Sequence, residues 1–267
     1  LKSDDIVKKL GLHKIRNYLG VPLPGNEDIE GWVFVFNKES SYTETDIFML
    51  RALAESGVNA MQNAQLLEHL DKMFLNTINT LAATIEARDK YTGKHTERVG
   101  QYSVRIAKAL GWQERKLKEA LYGGILHDIG KIGIDDAILR KPEKLTFDEF
   151  DSIKKHCEIG FNIINNIEEL KTVGNYILFH HEKYDGSGYP FGYKGEKIPI
   201  EGRIVAIADV FDAITTNRIY RKALSIEHAI EEIKKCRGKH FDPKLADIFI
   251  NLYENHQLDD ILEELEK

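Results

Sequence analysis

The sequence predicts an α+β chain in which a small strand-bearing segment leads through one long helix into an all-α domain. Three observations carry that expectation. Residues 31–36, Gly-Trp-Val-Phe-Val-Phe, have the aromatic and branched composition of a buried strand. No proline interrupts residues 43–88, where apolar side chains recur at helical spacing. From about Asp89 onward, helical patterns alternate with Gly, Pro and Asp breaks.

Taken in order, Asn17-Tyr-Leu-Gly-Val-Pro-Leu23 is a short apolar stretch broken by Gly20 and Pro22, and Leu23-Pro-Gly-Asn26 has turn chemistry. Two strands alone leave edges and an unpaired face. Residues 1–40 are therefore expected to join a larger sheet or to pair with another chain. Thr43 or Thr45 caps the next helix, with Glu44 and Asp46 in its first turn. Its apolar positions run through Ile47, Leu50, Ala54, Val58 and Met61. They continue through Leu67, Leu70, Phe74, Ile78, Leu81 and Ile85, stepping by three and four as a packing seam does. Two consecutive helices, each on its own core, would show the same pattern. The sharper reading is one connecting helix, over 69–88, that pairs in a homodimer. Downstream, helices are expected near 95–110, 114–128, 146–156, 158–167, 170–181, 202–217, 225–236 and 243–266. Residues 184–199 form a glycine-rich loop too long for a simple connector. Residues 258–267 read as an acidic amphipathic helix with a solvated face.

Composition narrows the function classes. The 267 residues are 42% hydrophobic and 30% charged, which supports a packed core rather than disorder. A net charge of -6 is the wrong sign for a general nucleic-acid binder, while a small anionic ligand fits if Lys and Arg cluster locally. Cys157 and Cys236 make neither a disulfide framework nor a zinc spacing, and a reducing compartment suits them. No apolar run reaches membrane-spanning length and no signal peptide opens the chain, so a cytoplasmic location without a membrane partner is expected.

Chemistry concentrates between residues 95 and 212. His127-Asp128 ends the apolar run 120–126, and His180-His181 ends the run 176–179. Asp209 interrupts 204–211, a segment so apolar that an ionised carboxylate there needs a counter-charge or a metal. These residues with His95 and His156 make seven candidate ligands, too many for one open catalytic ion and enough for two. Imidazole and carboxylate together suit Zn, Fe, Mn or Ni. Any one of these histidines alone would read as an ordinary core or surface residue. Lys131 falls on the face of His127 and Asp128 if the helix continues, where it attracts a phosphate oxygen. Asp209 and Asp212 share a face, and Arg218 and Arg221 follow. Two guanidinium groups beside a dinuclear site suit a phosphodiester, with helix-end salt bridges as the plainer alternative.

These motifs resemble the HD-GYP domain, the metal-dependent branch of the HD phosphohydrolase superfamily. They stand here as Asp89-Lys-Tyr-Thr-Gly-Lys-His95, His127-Asp-Ile-Gly-Lys131, His156, and His180-His-Glu-Lys-Tyr-Asp-Gly-Ser-Gly-Tyr-Pro190. Ala208-Asp-Val-Phe-Asp-Ala213, Arg218-Ile-Tyr-Arg221 and Phe241-Asp-Pro243 complete the set. The resemblance covers about residues 75–256 and implies an HD-type helical catalytic domain over 89–267. It implies hydrolysis of cyclic di-GMP to the linear dinucleotide pGpG or to GMP. It also implies His95, His127, Asp128, His156, His180, His181 and Asp209 as metal ligands. Lys131, Asp212, Arg218 and Arg221 match substrate-contacting positions, and Asp128 and Lys131 are the catalytic candidates. Tyr189 of the Gly188-Tyr189-Pro190 loop is a candidate for stacking a guanine. Two divalent ions are expected, Fe or Mn before Zn or Ni. A third ion is held open, because Tyr91 stands where an acidic residue would help hold it, and Glu86 and Asp89 are less well placed. Residues 16–70 resemble the C-terminal half of a GAF sensory domain, so 1–68 reads as a partial sensory segment.

Two other functions fit the same residues. One is a regulatory module that binds the dinucleotide, or a protein partner at the Gly188-Tyr189-Pro190 loop, without turnover. The other keeps the metals and changes the reaction. Intact ligands favour the phosphodiesterase.

Overall fold

In a computed structural model of the chain, the described residues are 14–24, 29–89, 94–217, 222–263 and 265. They are mostly helical, with one small sheet. The chain divides into two units, one ending at Phe74 and the other starting at Leu75.

In the first unit, β1 (Tyr18–Pro24) pairs antiparallel with β2 (Ile29–Phe36), Val21 opposite Val33. Among the described residues this sheet has two strands. Alternation sends Leu19, Val21, Leu23 and Val33 to one face, against Leu50 and Ala54. The other face carries Tyr18, Trp32, Phe34 and Phe36, all exposed; the Trp32 and Phe34 rings stack at 6.2 Å and those of Phe34 and Phe36 at 6.1 Å.

The long helix is continuous: α1 spans Glu44–Asp89. Thr43 starts it, because its N–H donates to Asp46 Oδ2 while the Asp46 N–H donates back to Thr43 Oγ1. Leu50, Ala54 and Val58 are buried early in the helix, and Ile78, Ala82 and Ile85 late. The seam read from the sequence therefore splits. Ile78 and Ile85 are core, whereas Leu67, Leu70 and Leu81 are exposed.

The second unit packs helices around α8 (Ile200–Thr215), whose Ile204, Val205, Ile207, Ala208 and Phe211 have no solvent exposure. A helix apolar on nearly every side belongs at the centre of a bundle. Around it lie α2 (His95–Ala109), α3 (Glu114–Leu126), α7 (Gly174–Phe179) and α9 (Ile226–Cys236). A 3-10 turn, Ile129–Gly133, follows α3; α4 (Asp136–Leu139), α5 (Phe147–Lys154) and α6 (His156–Ile164) come before α7. Tyr102 of α2, Phe211 of α8 and Phe249 of α10 (Pro243–Glu254) meet edge to face, with centroids 4.9–6.0 Å apart.

The C-terminal part departs from the sequence reading. Instead of one helix over 243–266, α10 stops at Glu254, and His256 takes a left-handed conformation at φ 58°. The chain turns there, and α11 (Asp259–Leu262) buries Ile261 and Leu262, with Leu258 just before it. The segment expected to be solvated thus contributes three side chains to the core, because the turn returns it to α2. No helix among the described residues is long and apolar enough to cross a membrane.

Candidate metal centre

The ends of four helices bring the histidines together. His127 caps the end of α3, His156 opens α6, His180 ends α7, and His95 opens α2. Asp209 sits within α8, one turn before Asp212. Close backbone approach makes the convergence tight. A Cβ on Gly130 would lie 1.8 Å from the carbonyl oxygen of His156, so only glycine lets the 3-10 turn after Asp128 meet α6.

All seven predicted ligands gather into two groups. Asp128, His156, His180 and His181 form one, and His95, His127 and Asp209 the other; within each, one ligand atom per residue lies within 4.8 Å of the rest. Asp128 faces both. Its Oδ1 is 3.4 Å from His156 Nε2 and its Oδ2 is 3.4 Å from His127 Nε2. His95 Nε2 lies 3.4 Å from Asp209 Oδ1, and His156 Nε2 lies 3.4 Å from His180 Nε2. Bonds of about 2.1 Å to a common ion separate tetrahedral donors by about 3.4 Å, so the donor set fits divalent transition metals.

The rings are held with Nε2 inward. Nδ1–H of His127 donates to the Gly124 carbonyl, that of His156 to Ile153, and that of His180 to Ile177, each at 2.7 Å. A carbonyl can only accept, which leaves Nε2 of a neutral ring with its lone pair free for a metal. His127 Nε2 is buried without a hydrogen-bond partner. Burial opposes protonation of His127, yet Asp128 and Asp209 outweigh it and hold its pKa up at about 9. Burial drives the pKa of His180 and of His181 well below the usual imidazole value. Burial works against ionisation of Asp128, but Lys131 and His127 keep its carboxyl well below the usual range. The first group therefore sets neutral His180 and His181 beside an ionised Asp128, the donor state a cation site requires.

Other predicted residues fall in different places. Lys131 Nζ sits 2.7 Å from Asp128 Oδ2, beside the ligands. Tyr189 is half-buried against His181, with ring centroids 4.7 Å apart, and its N–H donates to the His181 carbonyl at 3.2 Å. It thereby packs on a ligand. Asp212 lies deeper than the other predicted residues. It is fully buried, its Oδ1 accepting from Arg98 Nε at 2.6 Å and its Oδ2 from Arg98 Nη2 at 3.0 Å and His95 Nδ1 at 2.8 Å. It stands behind the candidate ligands with both oxygens occupied. Arg218, Arg221 and Tyr91 lie outside the described residues.

Four groups escaped the sequence reading in the roles they hold. Arg98 shares a face of α2 with His95, a spacing of three that was the available signal. Glu182 is buried, and its Oε1 accepts the Phe191 N–H at 2.8 Å, tying down the loop after Pro190. Glu86 of α1 accepts the Thr96 N–H at 2.7 Å and caps the turn that presents His95. Arg88 donates to the carbonyls of Ile132, within the 3-10 turn, and Ile134, just past it, so the end of α1 holds the turn that follows Asp128.

A family model described as HD domain matches residues 79–245. A cyclic di-GMP phosphodiesterase of Thermotoga maritima is 44% identical over 189 residues, 69% of this chain and 50% of that protein. A 3'3'-cGAMP-specific phosphodiesterase of Vibrio cholerae is 36% identical over 214 residues, 79% of this chain and 41% of that protein. A cyclic di-GMP phosphodiesterase response regulator of Xanthomonas campestris is 42% identical over 176 residues, 65% of this chain and 47% of that protein. The chain spans about half the length of these relatives. Among solved structures, a cyclic GMP-AMP-specific phosphodiesterase of V. cholerae aligns with a TM-score of 0.54 at 22% identity, covering 71% of this chain and 53% of that one, a likeness of fold. With the matched segment enclosing all seven candidate ligands, the chain belongs to the HD domain family.

Proposed function

We propose that this chain is the HD-GYP catalytic part of a cyclic-dinucleotide phosphodiesterase and hydrolyses cyclic di-GMP to pGpG, GMP or both. The carrying observation is Asp128, whose two oxygens face two separate ligand groups, as a carboxylate shared by two ions would. Relatives named as cyclic di-GMP phosphodiesterases support the substrate class.

Asp128, His156, His180 and His181 would hold one ion, and His95, His127 and Asp209 the other, with Asp128 between them. Fe and Mn are the first candidates. When bound, such ions supply Lewis acidity and bring a water's pKa toward neutrality. Lys131 holds its ammonium beside Asp128 and stabilises negative charge developing on the phosphoryl oxygens. Arg218 and Arg221 grip the outer phosphate of the dinucleotide. Tyr189 keeps His181 in place from the loop side, where its ring lies against the imidazole.

Residues 1–68 act as a partial, GAF-like sensory segment, residues 69–88 as the connection, and 89–267 as the catalytic domain. The exposed Leu67, Leu70 and Leu81 pair α1 with a second copy. Relatives named for 3'3'-cGAMP make that dinucleotide the competing substrate. Metal-loaded protein given each dinucleotide separately, with products identified by mass spectrometry, tests the proposal. Faster turnover of cyclic di-GMP is expected. Preference for 3'3'-cGAMP would reassign the substrate, and binding without turnover would make this a regulatory module.

A further inference from the structure

We infer that Arg98 is a positioning residue for the metal centre, acting through Asp212 to orient His95; this rests on the dinuclear reading above. His127, His156 and His180 each donate Nδ1–H to a carbonyl three residues earlier. His95 is the first residue of α2, and Lys94 before it is left-handed at φ 73°, so its ring turns to another helix for an acceptor. That acceptor is Asp212 of α8, at 2.8 Å.

Unlike a carbonyl, Asp212 carries a full charge, and it is fully buried. A buried carboxylate needs a cation, and Arg98 supplies one through two nitrogens, at 2.6 and 3.0 Å, from a position itself only 4% exposed. The spacing is matched on both helices. His95 and Arg98 are one turn apart on α2, as Asp209 and Asp212 are on α8. His95 thus meets Asp209 through Nε2 and Asp212 through Nδ1. Arg98 anchors the carboxylate, the carboxylate fixes the ring, and the ring presents Nε2 to the second ligand group alone.

The consequence is selective. Removing Arg98 or the Asp212 charge should weaken one of two binding steps about 10- to 100-fold, as loss of such outer partners does elsewhere, and leave the other step unchanged. The test is equilibrium dialysis of the folded chain against Mn2+, with bound metal counted by atomic emission, for the parent, Arg98→Met, Arg98→Lys and Asp212→Asn. Two steps in the parent are expected, with one lost selectively in R98M and D212N and largely kept in R98K. Should the parent bind fewer than two ions, the dinuclear reading fails and takes this inference with it. Should the parent bind two and folded R98M and D212N each bind two with parental affinity, the inference alone fails. If the variants do not fold, 15N-edited NMR of histidine-labelled, Zn2+-loaded parent protein decides. An Nδ1–H signal for His95 supports the inference, and a ring protonated at Nε2 overturns it.

Discussion

Gly188→Ala should damage the metal centre through the loop that carries Tyr189. A Cβ there would lie 2.3 Å from Lys183 N and 2.5 Å from both Glu182 Cα and the His181 carbonyl oxygen. All three atoms are backbone, so no rotamer relieves the clash, and ordinary contact requires the loop to retreat by about 1 Å. Such overpacking costs about 1–3 kcal/mol. At about 2–4 °C per kcal/mol for a unit of this size, the melting temperature should fall by roughly 2–12 °C. The same retreat strains the Tyr189 N–H bond to the His181 carbonyl and the 4.7 Å ring contact. A displacement near 1 Å at a reacting centre costs on the order of 100-fold in rate. Thermal melts and kcat on cyclic di-GMP, at equal metal content, measure both. A G188A protein with parental melting temperature and kcat would refute the reasoning, since the loop would then have absorbed the methyl without moving His181.

Three further outcomes are expected. Lys131→Ala should lower kcat by about 10- to 1,000-fold while KM changes little, because its ammonium lies beside Asp128 where charge develops; steady-state kinetics separates the two. The Asp46 carboxyl, held by Lys38 and Thr43, is lowered from 3.8 to about 2, so its contribution is present above pH 3.8 and lost as pH falls toward 2. Asp46→Asn should therefore melt earlier than the parent at pH 6, with the gap closing near pH 2 in calorimetry. Replacing Leu67 and Leu81 by Lys should shift the mass by light scattering from dimer to monomer; a parent that is already monomeric at high concentration removes the proposed pairing.

The seven candidate ligands were readable because doublets such as His127-Asp128 and His180-His181, each ending an apolar run, have few ordinary explanations together. The long helix was readable for a similar reason, an apolar period without proline. Arg98 was missed because its partner Asp212 is 114 residues away, and only the packing of α2 on α8 brings them together. Spacing puts Asp212 on the face of Asp209, but its partners Arg98 and His95 come from another helix and could not be read from it. The C-terminal helix was drawn too long because an apolar period carries across a break. The left-handed turn at His256 that ends it involves neither Gly nor Pro. The split of the α1 seam depends on which residues meet the second unit's core, a tertiary fact that periodicity does not contain.

In the proposed hydrolytic centre Asp128 would join two ions. Metal content and cyclic di-GMP turnover, measured on the same anaerobically reconstituted sample for the parent and Asp128→Ala, test it most directly. Two ions per chain and a pGpG or GMP product are expected for the parent, with metal and turnover lost together in D128A. One ion or fewer in the parent, or two ions and full turnover in D128A, would contradict it.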